Sequence, residues 1–210
     1  MIKAILFDLD GTLIDSPKLI MKSFEESLLE HNNYQPTELE MTSILGSTLT
    51  LAFNKYANDE DHLKRLINTF IKISNENNLI MLNPYKNASN VIQYLRDEKY
   101  LVGIVTSNNK QNVLSILKNH DMDHLFDCII TNEDSKIHKP NAEPIRLALN
   151  KLGVLPNEAI YIGDHENDII AGNNAKTKTG LMGYSHRLNQ AKEQKPTYIF
   201  TDLNHIKEIF

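Results

Sequence analysis

Two aspartates, Asp8 and Asp10, are the residues of this chain whose types and spacing are best suited to chemistry. Residues 4–7 form an apolar run that ends at the first carboxylate, and Gly11-Thr12 follows the second. A short apolar run closed by glycine is typical of a buried parallel strand, and side chains two apart on it face the same way. Both carboxylates would therefore point into the crevice beyond the strand end, where a hard cation such as Mg²⁺ would join them. An isolated Asp-x-Asp pair is also typical of a solvated turn.

A second polar group, Thr106-Ser107-Asn108, follows the apolar run 100–105. Hydroxyl groups and backbone N–H groups just before a helix form a site that favours anions. The alternative is that Ser107 or Asn108 only caps the next helix.

A third feature is Lys139-Pro140, which precedes a predicted helix. Proline favours an extended residue before it, and this could aim the Lys139 side chain out of the loop. A solvated loop lysine is the alternative, and Lys136 is a nearby competitor for the same role.

The fourth group is Gly163-Asp164-His165-Glu166-Asn167-Asp168, directly after the apolar run 159–162. Asp164 occupies the same kind of strand end as Asp8, and Asp168 lies one helical turn further on. Helix capping is the alternative for Asp164, and we expect His165 and Glu166 to face solvent.

These four groups predict a site for Mg²⁺ and phosphate, because the carboxyl ends of parallel strands meet at one edge of a sheet. Carboxylates would hold the metal, while the lysine and the N–H groups would hold phosphate oxygens. One carboxylate would remain as a nucleophile.

The elements that must position these residues alternate between strand and helix, which predicts an α/β fold. Its core would be a Rossmann-like parallel sheet with helices on both faces. The predicted strands are 3–8, 100–106, 128–131, 159–162, 179–182 and 198–200. The predicted helices are 17–30, capped by Ser16, then 49–57, 60–75, 86–98, 110–119, 142–152, 166–174, 188–193 and a terminal helix from 202.

One segment breaks this alternation and predicts a second domain. Residues 16–81 contain helical spacing and a Thr37-x-x-Glu40 capping box but no credible strand. We expect a small all-helical cap domain over 16–81, inserted into an α/β core formed by 1–15 and 82–210.

Composition excludes several classes of protein. A chain of 210 residues with 41% hydrophobic and 23% charged residues is typical of a globular domain, and a net charge of −5 gives no support to nucleic acid or anionic membrane as a partner. The single Cys128 excludes a disulfide framework and is expected to be a buried structural thiol. No signal peptide or membrane segment is evident, so we predict a cytoplasmic protein.

The order of the four motifs resembles the haloacid dehalogenase superfamily of phosphohydrolases. The insert resembles the C1 helical cap of that family, and the overall pattern is closest to its phosphoglycolate phosphatase and pyrophosphatase group. The motifs are Phe7-Asp8-Leu9-Asp10-Gly11-Thr12, Ile104-Val105-Thr106-Ser107, Lys139-Pro140 and Gly163-Asp164-His165-Glu166-Asn167-Asp168.

The resemblance implies roles for four aspartates. Asp8 would attack phosphorus and form an aspartyl-phosphate, and Asp10 would protonate the leaving group and then activate water. Asp8 and Asp164 would supply carboxylate ligands to Mg²⁺, with the backbone carbonyl of Asp10 as a further ligand. Asp168 would support the metal shell and the lysine.

The resemblance also implies how the phosphoryl group is bound. Thr106 and the Ser107 N–H would hold the transferring group, and Lys139 would neutralise its charge and that of Asp8. The dehalogenases lack a carboxylate at the position of Asp10, so its presence favours phosphoryl chemistry.

The predicted function is hydrolysis of a small phosphorylated metabolite, such as phosphoglycolate, pyrophosphate or a sugar phosphate, by a Mg²⁺-dependent enzyme that is a monomer or homodimer. The alternatives are a phosphomutase related to the β-phosphoglucomutases and a phospho-acceptor signalling module without turnover. Gly46-Ser47-Thr48 is the candidate substrate-facing loop, or else a plain interhelical turn.

Overall fold

The strands of this protein follow the alternation predicted above. The structure is a computed structural model that describes residues 1–45 and 47–210, apart from the side chains of residues 78–80. Its strands are β1 (Ala4–Phe7), β2 (Ile14–Asp15), β3 (Asn83–Pro84), β4 (Leu101–Val105), β5 (Cys128–Ile130), β6 (Ala159–Gly163), β7 (Lys178–Met182) and β8 (Tyr198–Phe200).

Six of these strands form one parallel sheet in the order β5-β4-β1-β6-β7-β8. Phe7, the last residue of β1, is paired with Ile104 on one side and with Ile162 on the other. The carboxyl ends of the three central strands are therefore nearly level. This register brings the residues that follow each of them to the same edge of the sheet.

The helices separate the strands along the chain, and several of them pack on the sheet. Among the described residues, none of the helices combines the length and the apolar character needed to cross a membrane. The predicted α/β fold with a Rossmann-like sheet is confirmed. The helices are α1 (Pro17–Asn32), α2 (Glu38–Ser43), α3 (Leu49–Asn54), α4 (Glu60–Met81), α5 (Ala88–Asp97), α6 (Lys110–Asn119), α7 (Glu143–Leu152), α8 (Glu166–Ala175) and α9 (Leu188–Glu193).

The chain divides into two compact units. The first comprises Met1–Ile14 and Pro84–Phe210, and it contains the six-stranded sheet. The second comprises Asp15–Asn83 and contains α1 to α4. The second unit has its own core, which consists of Phe24, Leu28, Ile44, Ala52, Phe53, Leu66 and Phe70.

The capping box predicted in the second unit is present. Thr37 Oγ1 accepts a hydrogen bond from the Glu40 N–H at 3.3 Å, and the Glu40 carboxylate accepts one from the Thr37 N–H at 3.0 Å. Thr48 Oγ1 caps α3 through the Leu51 N–H at 3.4 Å. Gly46, the first residue of the predicted substrate-facing loop, lies outside the described residues.

Several predicted boundaries were wrong, for identifiable reasons. Helix α4 continues to Met81 rather than ending at 75, because the polar run 75–78 interrupts the apolar spacing on which the prediction depended. Strands β2 and β3 were not predicted, because each has only two residues, too few to show the pattern of apolar residues that marks a strand. The predicted terminal helix is a short 3₁₀ segment over Asn204–Glu208.

The start of α1 also differs from the prediction. Pro17 is its first residue, as expected, but the Ser16 side chain makes no capping hydrogen bond. Ser16 adopts right-handed helical dihedral angles, with φ −96° and ψ −17°, rather than the extended geometry of a capping residue.

Cys128 is buried on β5, as predicted, where it packs closely against β4. A Cβ atom at Gly103 would lie 2.7 Å from Cys128 Sγ and 2.8 Å from Leu6 Cδ2, so only glycine allows this approach. Burial raises the pKa of the Cys128 thiol to about 11. The thiol is therefore protonated near neutrality and shielded from solvent.

We expect Cys128 to be unreactive in the folded protein. Because thiolate is the reactive form, the native thiol should react with a disulfide reagent such as DTNB at pH 8 at least about 100-fold more slowly than the same thiol in urea. The measurement is the rate of colour release with and without denaturant, and one thiol per chain should react in urea. Rapid, stoichiometric reaction of the native protein would contradict the burial.

Candidate active site

Lys139 lies at the centre of a buried polar cluster at the carboxyl edge of the sheet. Its Nζ donates hydrogen bonds to Asp8 Oδ1 at 2.8 Å, to Asp168 Oδ1 at 2.7 Å and to the Tyr161 hydroxyl at 3.0 Å. A lysine ammonium has three donors, and all three have an acceptor here. With a side chain only 6% exposed, Lys139 is held as a fixed positive charge inside the protein.

Three carboxylates surround this ammonium. Oxygens of Asp8, Asp164 and Asp168 all lie within 4.8 Å of one another, and all three residues are buried. The Thr12 hydroxyl donates to Asp164 Oδ1 at 3.1 Å, and the His165 N–H donates to Asp168 Oδ2 at 3.0 Å. The structure thus brings together three of the four predicted metal-ligating aspartates and the predicted lysine.

Each member of this cluster reaches it from a different element. Asp8 follows β1, and Asp164 follows the neighbouring strand β6. Asp168 lies in the first turn of α8. Lys139 comes from the loop before α7, and its peptide bond to Pro140 is cis. The parallel register of β1 and β6 therefore brings Asp8 and Asp164 together, and the first turn of α8 adds Asp168.

Two glycines allow the backbone to approach these carboxylates. Gly11 has a φ of +79°, and a Cβ atom there would lie 2.4 Å from Asp164 Oδ2. At Gly163 a Cβ atom would lie 2.3 Å from Asp168 Oδ2. Any side chain at either position would collide with the cluster, and Gly11 also needs a backbone conformation that L-residues avoid.

The carboxylates differ in how easily they ionise. Burial raises the pKa of Asp8 to about 7 despite the opposing effect of Lys139, and burial with the charges of Asp168 and Asp8 raises the pKa of Asp164 well above its usual value. Burial also opposes ionisation of Asp168, but the ammonium and its hydrogen bonds outweigh it and lower that pKa. One ammonium is therefore too little positive charge for three carboxylates.

This imbalance fits a divalent cation. The donor atoms are carboxylate oxygens, the ligand type that hard cations prefer, and a cation would favour the ionised forms of Asp8 and Asp164 against the burial and the mutual repulsion that raise their pKa values. A second acidic group, Asp121 with Asp123 and His124, also has suitable spacing but is exposed. Exposed acidic groups are common without an ion, so the buried cluster is the candidate metal site.

The other predicted residues lie in the turns after β1 and β4. Thr106 is buried, and its Oγ1 accepts a hydrogen bond from the Asn108 N–H at 3.1 Å. Asp10 is half-buried, and its Oδ2 accepts one from Asn108 Nδ2 at 2.9 Å. Ser107 lies between Thr106 and Asn108 in the turn after β4. The cap of α6 is Asn109, whose Oδ1 accepts from the Asn112 N–H, so neither Ser107 nor Asn108 has that role.

The protein-family model of the haloacid dehalogenase-like hydrolases matches residues 5–182 of this chain. The chain belongs to this family. The match includes all four motifs and every residue of the buried cluster, and it confirms the family predicted from the sequence.

Named relatives agree with this assignment. The pyrophosphatase PpaX of Bacillus cereus strain AH820 is 35% identical over 187 residues, which cover 88% of this chain and 84% of that protein. A solved structure of a predicted phosphoglycolate phosphatase from Haemophilus somnus 129PT covers 99% of this chain and 97% of its own, at 28% identity and a TM-score of 0.88. A haloacid dehalogenase-like hydrolase of Bacteroides fragilis, 26% identical, superposes with a TM-score of 0.90 over 98% of this chain and 100% of its own. The prediction of a phosphatase-type hydrolase is confirmed.

Two expectations about side chains near the cluster were wrong for this hydrolase. His165 is buried rather than solvent-facing, and its Nδ1 accepts a hydrogen bond from the Asn167 N–H at 3.1 Å at the start of α8. Glu166 is half-buried and forms an ion pair with Arg187. The sequence motif did not reveal the ion pair because Arg187 lies beyond α8, whereas the His165 hydrogen bond is local to the start of α8.

Tyr161 is the residue of the cluster that sequence reasoning missed. It is fully buried on β6, and its hydroxyl donates to the Val105 carbonyl at 2.8 Å while accepting from Lys139. A signal was present, because a tyrosine in an otherwise aliphatic buried strand needs a partner for its hydroxyl. Tyr161 thus ties the lysine to the end of β4.

We expect Lys139→Met to destabilise the protein strongly. Removing one partner of a buried ion pair leaves uncompensated charge, and in a metal-free buffer this should lower the free energy of unfolding by about 3 kcal/mol. Urea denaturation measures the change. Lys136→Met is the matched control, because Lys136 lies in the same loop and is exposed. Equal stability of the two variants would show that Lys139 does not compensate the carboxylates.

Proposed function

We propose that this chain is a Mg²⁺-dependent phosphatase that removes phosphate from a small phosphorylated metabolite through an aspartyl-phosphate on Asp8. The observation that carries the proposal is the hydrogen-bonded contact of Lys139 with Asp8 and Asp168 inside a buried cluster that also holds Asp164. Buried carboxylates around a fixed ammonium suit transfer of an anionic group, since charge in the transition state spreads over phosphoryl oxygens.

In the first step an Asp8 carboxylate oxygen attacks phosphorus as the bond from phosphorus to the leaving-group oxygen breaks. Asp10 gives its proton to that oxygen, so the product leaves as a neutral alcohol or a protonated phosphate. Lys139 balances negative charge on the phosphoryl group. Thr106 and the Ser107 N–H are proposed to hold the transferred phosphoryl oxygens.

In the second step the Asp10 carboxylate takes a proton from water as that water attacks the phosphorus of the aspartyl-phosphate. The bond from phosphorus to Asp8 breaks, inorganic phosphate leaves, and both aspartates return to their starting states. Asp10 therefore acts first as acid and then as base.

Mg²⁺, when bound, would neutralise phosphoryl charge, with Asp8, Asp164 and the Asp10 carbonyl as ligands. Asp168 would support this site indirectly by holding Lys139 and the His165 backbone in place, since its oxygens already accept hydrogen bonds from both. Burial keeps water away from the charges and so strengthens their interaction.

Pyrophosphate and phosphoglycolate are the first substrates to test, because the relatives described above carry those names. The unit Asp15–Asn83 is proposed to act as the cap that selects the substrate, with Ser47 and Thr48 in its substrate-facing loop. The substrate would be the only partner needed, without nucleic acid or membrane, for a cytoplasmic monomer or homodimer.

The test is release of inorganic phosphate from a panel of pyrophosphate, phosphoglycolate, hexose phosphates and nucleoside monophosphates. Turnover should require Mg²⁺, and Asp8→Asn should lower kcat by at least about 10³-fold, because it removes the nucleophile. Asp123→Asn is the control, since Asp123 is an exposed carboxylate outside the cluster. The ranking of substrates then shows which leaving groups are accepted.

Other outcomes would replace the proposal. Turnover of a sugar monophosphate only with added sugar bisphosphate would indicate a phosphomutase. Stoichiometric phosphorylation of Asp8 without turnover would indicate a phospho-acceptor. No reaction with any substrate, from a folded protein, would also contradict a phosphatase.

Binding of Mg²⁺ can be tested without activity. A ligand that binds only the native state stabilises it by RT ln(1 + [L]/Kd), about 2.7 kcal/mol at 100 times Kd, which corresponds to a rise of several degrees in Tm. We expect this Mg²⁺-dependent rise in the native protein, its loss in Asp164→Asn and its retention in Asp123→Asn. A shift that depends on Asp123 instead would move the metal to the exposed cluster.

A further inference from the structure

Asn108 joins the turn after β4 to the second aspartate of the first motif. Its Nδ2 donates a hydrogen bond to Asp10 Oδ2 at 2.9 Å, between residues 98 positions apart in the chain. The two residues meet because β4 and β1 are neighbours in the sheet and end level with each other. The contact thus links the ends of two strands.

The orientation of the Asn108 amide is fixed by its surroundings. Its Oδ1 accepts hydrogen bonds from the Asn109 N–H at 2.8 Å and from Asn112 Nδ2 at 3.4 Å. An amide turned by 180° would set its NH₂ group against these donors and its oxygen against the Asp10 carboxylate. The NH₂ group is therefore the part that faces Asp10.

This donor divides the roles of the two Asp10 oxygens. Oδ2 accepts from the amide, and an oxygen that accepts an N–H bond is the better carbonyl oxygen of the protonated acid, which favours Oδ1 as the carrier of the transferable proton. An amide releases no proton near neutrality, which means that Asn108 can take part in proton transfer only through Asp10.

We infer that Asn108 is a positioning residue that orients Asp10 for proton transfer to the leaving group. The inference rests on the proposed function, in which Asp10 is the acid. Proton transfer depends on the distance and direction between donor and acceptor, so a donor that holds one carboxylate oxygen in place favours the productive arrangement. The Asn108 N–H also donates to Thr106 Oγ1, so one turn orients both the acid and the proposed phosphoryl-binding residue.

The first test is the dependence of kcat/KM on the leaving group, because this constant reports the steps up to formation of the aspartyl-phosphate. An alkyl phosphate needs an acid, whereas p-nitrophenyl phosphate has a leaving group stable as an anion. We expect Asn108→Ala to lower kcat/KM on the order of 10²-fold for the alkyl phosphate and little for p-nitrophenyl phosphate. An equal loss for both substrates would overturn the inference.

The matched control is Asn109→Ala. Asn109 is adjacent and caps α6 with its side chain, while its contact to Asn108 uses only the backbone. We expect this variant to have a lower Tm and a similar change for both leaving groups. A selective loss in Asn109→Ala as large as that in Asn108→Ala would show that disturbance of the turn is sufficient, and would contradict a specific role for Asn108.

The second test is a double-mutant cycle with Asp10→Asn, which needs only one substrate that the native enzyme turns over. If Asn108 acts through Asp10, then Asn108→Ala combined with Asp10→Asn should be no slower than Asp10→Asn alone. Effects that multiply would overturn the inference. Failure of the proposed function is distinguishable, because the native enzyme itself would then be inactive on every substrate.

Discussion

The structure of the site depends on one electrostatic constraint, the compensation of three buried carboxylates by a single lysine. Burying an unpaired charge costs far more free energy than one hydrogen bond returns, so Asp8, Asp164 and Asp168 could not all be ionised in this space without Lys139 or another cation. The ammonium meets two of the three directly. The negative charge that this ammonium leaves unpaired, together with burial, raises the pKa values of Asp8 and Asp164 and suits the cluster to the proposed metal ion.

The parallel sheet satisfies this constraint because it delivers side chains from separate parts of the chain to one edge. Strand β1 lies between β4 and β6, so the residue after each strand meets the residues after the others. The backbone must then come very near the carboxylates, and Gly11 and Gly163 permit this approach. Fold and site are therefore coupled: the same register that pairs the strands sets the spacing of the charges.

Much of this was predictable from sequence, since strand ends can be located from apolar runs and polar residues there share one edge. Asp8 and Asp164 are predicted in this way, Asp168 from its place one helical turn further on, and Lys139 from the proline that follows it. The structure brings these four residues together. What the sequence could not supply were choices between neighbours. Asn109 rather than Ser107 or Asn108 caps α6, and the buried Lys139 rather than the exposed Lys136 enters the cluster. Such choices depend on dihedral angles and tertiary contacts, which produce no periodic pattern of apolar residues in the sequence.

The full set of hydrogen bonds around Lys139 has a consequence for affinity. Every donor on this ammonium already has an acceptor, so an incoming phosphoryl oxygen competes with Asp8 for it. Under the proposed chemistry that competition weakens when Asp8 is phosphorylated, because the acyl phosphate keeps a carbonyl oxygen but no longer carries the charge on its carboxyl group. The attraction of the lysine for the phosphoryl group thus grows as the covalent bond forms, and little of it is spent on holding unreacted substrate. An enzyme built in this way would bind its substrate loosely and its intermediate tightly.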